Sequence, residues 1–227
     1  RQSIAVTEQT TGKQFRFVMP GPYWNHEMVN ESLNAITQAA PADGVVVLSG
    51  SQPPGVPMDF PARLARHLAQ KDVQLFVDTS GQPLHELVKH PANPYVLRMD
   101  DVEAEDVAGH ALPTREDTAN FATDLVARGV AENVIVARGA DGSTLANARG
   151  RWHASRAIDP EDVISAVGAG DSFVGAFSMA LTRGDEMQQA LCFGTTAAAA
   201  AVLSAGTQLC SAADVARLSP GCELVTL

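Results

Sequence analysis

The sequence has 227 residues, 45% of them hydrophobic and 19% charged. That is enough for one large domain, or a domain with a small appendage, and too apolar for a disordered chain. Its formal net charge of −10 repels phosphate backbones and excludes nucleic acid as the expected partner.

No apolar run reaches the ~18 residues of a membrane span, so no membrane partner is expected. The three cysteines, Cys192, Cys210 and Cys222, include no CxxC pair. They predict a reducing, cytoplasmic setting, and neither a disulfide framework nor a zinc ribbon. The chain opens on Arg1-Gln2-Ser3-Ile4 and alternates at once like a strand. This predicts that an N-terminal part of the fold lies outside the sequence.

"SIAVTEQTTGKQFRFVMPGP" reads as two strands around a turn at Thr11-Gly12. Phe15, Phe17 and Met19 fall on one face, and Gln14, Arg16 and Val18 on the other. Such a ribbon is a lid or an edge. Residues 1–22 are therefore expected as a β lid and 23–227 as the main domain. A helix is predicted at about 26–40. "DGVVVLSG" then reads as a strand buried on both faces. "LFVDTSG", "YVLRM" and "NVIVARG" repeat that form, with helical stretches at about 58–70, 83–89, 102–108 and 114–128 between them. The alternation predicts an α/β fold with a parallel sheet and helices on its faces. The last third reads as mainly helical. Ser172–Arg183 has helix spacing, and Gly184 stops it. Asp185 is the expected cap of a helix at about 186–204, which Gly206 ends.

The stretch "SAVGAGDSFVGAF" carries the chemistry. Small residues let backbone N–H groups approach a ligand, and the first N–H groups of a helix lack intrahelical partners. Gly168-Ala169-Gly170 thus reads as an anion hole suited to phosphate. No GK[ST] follows, so it is not a Walker A loop. Asp171 beside a phosphate makes sense as a general base that deprotonates an attacking hydroxyl. Its alternative is a plain helix N-cap.

"VGAGDSFVGAF" resembles the C-terminal signature of the PfkB, or ribokinase-like, carbohydrate kinases. "RQSIAV", "FRFVMPGP", "VVVLSGSQPPG", "FVDTSG" and "AGTQLCS" fall in the order and spacing of its phosphofructokinase B branch. The resemblance implies a three-layer α/β/α ribokinase-like fold with a β lid. It implies ATP and Mg²⁺, K⁺ as a candidate monovalent cation, and a sugar phosphate, first fructose 6-phosphate, as acceptor. It also implies a homodimer formed through the lids. By position, Asp171 matches the family's base, and Gly168, Ala169 and Gly170 its anion hole. Arg1, Ser49, Gly50 and Ser51 match the acceptor side. Gly139, Gly142, Ser204 and Gly206 match the nucleotide side.

The chain departs from the family at three places. Lys-Pro-Asn-x-x-Glu reads here as Arg98-Met99-Asp100-Asp101-Val102-Glu103. Asp100 and Glu103 are candidate Mg²⁺ ligands, and the same D-x-x-E spacing makes a helix capping box. Ala137 replaces a hydroxyl residue near the nucleotide. Ser165-Ala166 replaces Asp-Thr at the monovalent-cation site. Two alternatives stay open. One is a kinase of this fold for tagatose 6-phosphate, fructose 1-phosphate or a nucleoside. The other is a degenerate, non-catalytic sugar or nucleotide binder.

Overall fold

The computed structural model describes residues 2–205 and 208–227. In chain order its elements are β1 (Ser3–Thr7), β2 (Gln14–Val18), α1 (His26–Ala39), β3 (Gly44–Ser49), α2 (Phe60–Leu68), β4 (Val73–Asp78), α3 (Gln82–Lys89), β5 (Val96–Asp100), α4 (Asp101–Ala108), α5 (Arg115–Ala127), β6 (Asn133–Ala137), β7 (Ser143–Asn147), β8 (Gly150–Ser155), α6 (Ala169–Thr182), α7 (Met187–Ala201), α8 (Ala212–Leu218) and β9 (Glu223–Thr226).

Alternation of side chains along the central strands builds three layers. Leu75 and Val77 of β4, Leu97 and Met99 of β5, and Val134 and Val136 of β6 enter one core with α1–α5. Their neighbours Phe76, Val96 and Ile135 enter a second core with Phe173, Phe177 and Leu191 of α6 and α7. Phe177 meets Phe76 edge to face at 5.7 Å and stacks on Phe173 at 5.6 Å. This is the expected α/β/α architecture. Among the described residues no helix is long and apolar enough to cross a membrane.

The sheet corrects the sequence reading in two respects. It has seven strands in the order β3 to β9, and only β3–β6 run parallel. The pairs β6–β7, β7–β8 and β8–β9 are antiparallel, so the sheet is mixed and not parallel throughout; the last third is mainly helical, as expected, with α6, α7 and α8. The strand β3 is not buried on both faces either. It sits at the edge of the sheet with one strand neighbour, and Val47 is 42% exposed.

The helix ends also differ from expectation. α6 begins at Ala169, ahead of Ser172. Glu186, not Asp185, caps α7, through a capping box with Gln189.

β1 and β2 form a separate antiparallel ribbon. Ile4 stands opposite Phe17 and Val6 opposite Phe15, and all four are exposed.

Candidate active site

The four parallel strands end on one edge of the sheet. Ser49 pairs in register with Asp78, Asp78 with Arg98, and Asp100 with Ala137. In sheets of this kind ligands bind beyond the carboxyl ends of the strands. A cleft of about 690 Å³ opens there. It gathers Ser49, Gly50 and Ser51, Asp100 and Glu103, and Gly168, Gly170 and Asp171 from segments far apart in the chain. Gln2, Ser3 and Val18 of the ribbon line its rim.

The floor is an ion pair that the sequence reading missed. Arg98 Nη1 lies 3.0 Å from Asp78 Oδ1, with the side chains only 13% and 15% exposed. Ser49 Oγ donates to the other Asp78 oxygen at 3.3 Å. The guanidinium stands 5.7 Å above the Phe173 ring, a cation–π contact. A Cβ at Gly170 would lie 3.4 Å from both Nη atoms. Glycine thus lets the first turn of α6 approach the arginine. Among the described residues Arg98 Nε is buried and finds no acceptor. The signal for this pair was a carboxylate and a cation at the carboxyl ends of adjacent parallel strands.

Gly168 is the N-cap of α6 at φ +88°, the left-handed region. Ala169 N–H turns back to Ala166 O at 3.4 Å, and Ser172 N–H donates to Gly168 O at 2.9 Å. Among the described residues the N–H groups of Gly170 and Asp171 have no backbone acceptor outside the helix, so they are open to an anion. Asp171 is the third residue of the helix, exposed at the cleft. The capping alternative is therefore overturned, because a glycine holds that position.

Asp100 and Glu103 form a complete capping box. Glu103 N–H donates to Asp100 Oδ1 at 2.8 Å, and Asp100 N–H donates to Glu103 Oε2 at 2.9 Å. Burial pushes the Glu103 carboxyl up from its ordinary pKa; the N–H of Asp100 opposes this, and the Asp100 charge adds to it. Among the described residues no three His, Cys, Asp or Glu side chains gather as a metal cage. Magnesium carried by a nucleotide does not need one, since phosphate oxygens and water supply most ligands beside one or two carboxylates. Each carboxylate commits one oxygen to the box and faces the cleft. That donor set fits such an ion.

The remaining predicted residues lie apart. Ala169, Gly139, Gly142 and Ser204 do not line the cleft. Gly139 and Gly142 bound a turn after β6, at φ +55° and +111°. A Cβ at Gly142 would sit 2.1 Å from Ala154 O, so β8 itself demands that glycine. Ser204 follows α7, its N–H donating to Ala201 O at 3.0 Å. Close by, the N–H groups of Ile164 and Ser165 both donate to Val202 O, at 2.8 and 3.2 Å. Arg1 and Gly206 lie outside the described residues.

A polar cluster behind the Gly139–Gly142 turn was also missed. Asp141 is gripped by Arg115 Nε at 3.0 and 3.1 Å and by Arg138 Nε at 3.0 Å. The Arg115 hydrogen bonds, with help from Arg138, hold the Asp141 carboxyl at about 2, well below its ordinary 3.8. Arg138 also donates to Leu112 O and Pro113 O at 3.0 Å. Buried His153 bonds Asp141 O and Thr144 Oγ1, each at 2.8 Å, and burial pushes its pKa down.

Residues 1–214 match the pfkB family of carbohydrate kinases. The chain is 35% identical to the ATP-dependent 6-phosphofructokinase isozyme 2 of Mycobacterium tuberculosis, across 96% of this chain and 62% of that protein. It thus spans about three fifths of the length of that relative. It is 30% identical to the 1-phosphofructokinase of Borreliella burgdorferi, across 78% of this chain and 55% of that protein. Its fold superposes on phosphofructokinase-2 from Escherichia coli in complex with potassium, with a TM-score of 0.88 at 28% identity, covering 97% of this chain and 70% of that one. A family match along nearly its whole length, on a shared fold, shows that this chain belongs to the pfkB family of carbohydrate kinases.

Proposed function

We propose that the protein transfers the terminal phosphoryl group of ATP to a hydroxyl of a sugar phosphate, with fructose 6-phosphate as first acceptor and fructose 1,6-bisphosphate as product. One observation carries this reading. Asp171 stands exposed at the cleft one residue after Gly170, whose N–H is open, and the Ser49–Ser51 loop lines the same cleft. Phosphoryl transfer needs charge neutralisation and positioning more than covalent help. The N–H groups of Gly170 and Asp171 receive charge on the transferring group. The Asp171 carboxylate orients the acceptor hydroxyl and takes its proton. Ser49, Gly50 and Ser51 hold the sugar, and Asp78 fixes Arg98 against the helix that carries the base. Asp100 and Glu103 would hold Mg²⁺, which when bound neutralises phosphate charge. The turn at Gly139–Gly142 and the segment after α7 take the nucleotide.

Two further parts belong to the proposal. Carbonyls around Ser165-Ala166 hold K⁺, as the solved relative with potassium suggests. The exposed face Ile4, Val6, Phe15 and Phe17 of the ribbon packs against that of a second copy.

The test is ADP release from ATP over fructose 6-phosphate, tagatose 6-phosphate and fructose 1-phosphate. Wild type is expected to prefer fructose 6-phosphate. Asp171→Asn is expected to lose at least ~10²-fold in kcat and to keep ATP binding. Preference for fructose 1-phosphate would support the second reading, which the Borreliella relative favours. ATP binding without turnover on any acceptor would sink the kinase reading in favour of a binder.

A further inference from the structure

Cys192 lies in α7 and Cys222 immediately before β9, 30 positions apart in the chain, yet their sulfur atoms stand 2.7 Å apart. Both thiols are free and half-buried. Spacing gave no hint of this pairing, since no CxxC motif joins them. The fold creates it by packing α7 against the last strand. We propose that Cys192 and Cys222 form a redox modification site, a dithiol that a hydroperoxide closes into a disulfide, pinning the C-terminal strand to α7.

The surroundings give the two sulfurs different parts. Arg156 packs on Gly221, where a Cβ would lie 3.1 Å from its Nε, and so borders Cys222. The Cys192 thiol, the Thr196 hydroxyl and Arg156 all favour negative charge on Cys222, against its burial and Glu223. The Cys192 thiol is pushed up by its hydrogen bond to Cys222 and by burial. Because the Arg156 cation borders Cys222, the proposal gives Cys222 the attack and Cys192 the resolving part.

With hydrogen peroxide, the Cys222 sulfur attacks one oxygen and the O–O bond breaks. Cys222 becomes a sulfenic acid, and the other oxygen leaves as hydroxide, which becomes water with the proton that Cys222 released on ionising. The Cys192 sulfur then attacks the Cys222 sulfur. The S–O bond breaks, and hydroxide leaves as water with the Cys192 proton. Two thiols lose two electrons in all, and one peroxide becomes two waters.

The site has a mechanical consequence. β9 is an edge strand, exposed along its length and, among the described residues, paired only with β8. A covalent tie to α7 removes its freedom to fray, and closing a loop of 30 residues restricts the unfolded chain. Cys210 lies outside the pair, its N–H donating to Ser172 Oγ at 3.3 Å, and serves as internal control.

The experiment treats the reduced, folded full chain with hydrogen peroxide, then counts thiols, measures intact mass, maps peptides and follows thermal melting. Wild type and Cys210→Ser are each expected to lose two thiols and two hydrogens of mass and to yield one linked peptide joining residues 192 and 222. Their melting temperature should rise by on the order of 10 °C, reversibly with dithiothreitol. Cys192→Ser and Cys222→Ser should form no such link. The proposal is overturned if wild type only gains oxygen on its cysteines, or if the linked peptides include Cys210 or join two chains. The wild-type peptide map decides the matter even if a serine variant fails to fold. None of these outcomes depends on the kinase reading.

Discussion

Replacing Asp100 by asparagine separates the two tasks its position allows. As a cap, Asp100 needs only an oxygen at 2.8 Å from the Glu103 N–H. An amide oxygen serves as well, because asparagine and aspartate rank alike at the N-cap. Asp100→Asn should therefore change stability by no more than a few tenths of a kcal/mol. Asp100→Ala removes the acceptor and should cost about 1 kcal/mol. Charge groups the variants differently, with asparagine on the side of alanine. The Asp100 carboxylate helps raise the pKa of Glu103, so both variants should bring Glu103 back toward its ordinary value. A raised carboxyl pKa stabilises the fold below the unfolded pKa and loses that contribution as pH rises through the folded one. Asp100→Asn should shrink this acid-side contribution. Without a metal the carboxylate repels ATP phosphates, and with Mg²⁺ between them it attracts. Calorimetric titration of ATP at low and high free Mg²⁺ is then expected to show a steeper metal dependence in wild type than in Asp100→Asn. Equal dependence in the two proteins would refute the metal reading and leave Asp100 a cap. Urea unfolding in which asparagine costs as much as alanine would refute the cap.

Arg98→Met keeps bulk over Phe173 but leaves the Asp78 carboxylate, 15% exposed, with the Ser49 hydroxyl alone as side-chain partner among the described residues. It should cost about 3 kcal/mol in urea unfolding, and a neutral result would show that the pair adds nothing. Arg115→Ala should release Asp141 toward its ordinary pKa. A carboxyl held at about 2 stabilises above its unfolded value of 3.8 and loses that contribution as pH falls toward 2. The shift corresponds to about 2.5 kcal/mol, and 36% exposure of the Asp141 side chain discounts it to about 1. The gap between wild type and Arg115→Ala should thus narrow below pH 4, and a constant gap from pH 7 to pH 2 would show that the ion pair does not act through this titration. For the ribbon, light scattering at micromolar concentration should report a dimer for wild type and monomers for a Phe15→Ser, Phe17→Ser double variant. A monomeric wild type sinks the lid pairing.

The parallel strands were legible because each holds a short apolar run, broken in β4 by Gln74 and in β5 by Arg98, and the β1–β2 ribbon because it alternates around Thr11-Gly12. β7 ("STLAN") and β8 ("GRWHAS") lack both signals. They are strands because β6 offers an edge and the glycines at 142 and 150 permit the turns, which is tertiary context overriding local pattern. The floor of the cleft was hidden for a related reason. Asp78 and Arg98 meet through the register of β4 on β5, and a stretch read alone cannot show a partner 20 residues away. The Gly168–Asp171 loop was legible because its chemistry is local: a left-handed glycine, a helix start and one acid in the first turn.

The electrostatics of the cleft follow from this layout. Among its described lining residues are the acids Asp78, Asp100, Glu103 and Asp171 and one cation, Arg98, already committed to Asp78. Side chains alone would repel both a nucleotide and a sugar phosphate. Under the proposed function, attraction comes from groups that carry no formal charge, the open N–H groups at the start of α6 and the dipole behind them, and from a dication taken up with the nucleotide. This division suits phosphoryl transfer. Fixed N–H donors stabilise charge where it develops without neutralising the base beside them. A lysine or arginine facing Asp171 would pair with it and weaken it as a proton acceptor. By tying Arg98 to Asp78 and seating it under Gly170 instead, the fold keeps a cation close to the start of α6 without pairing it with Asp171, as the proposed base requires.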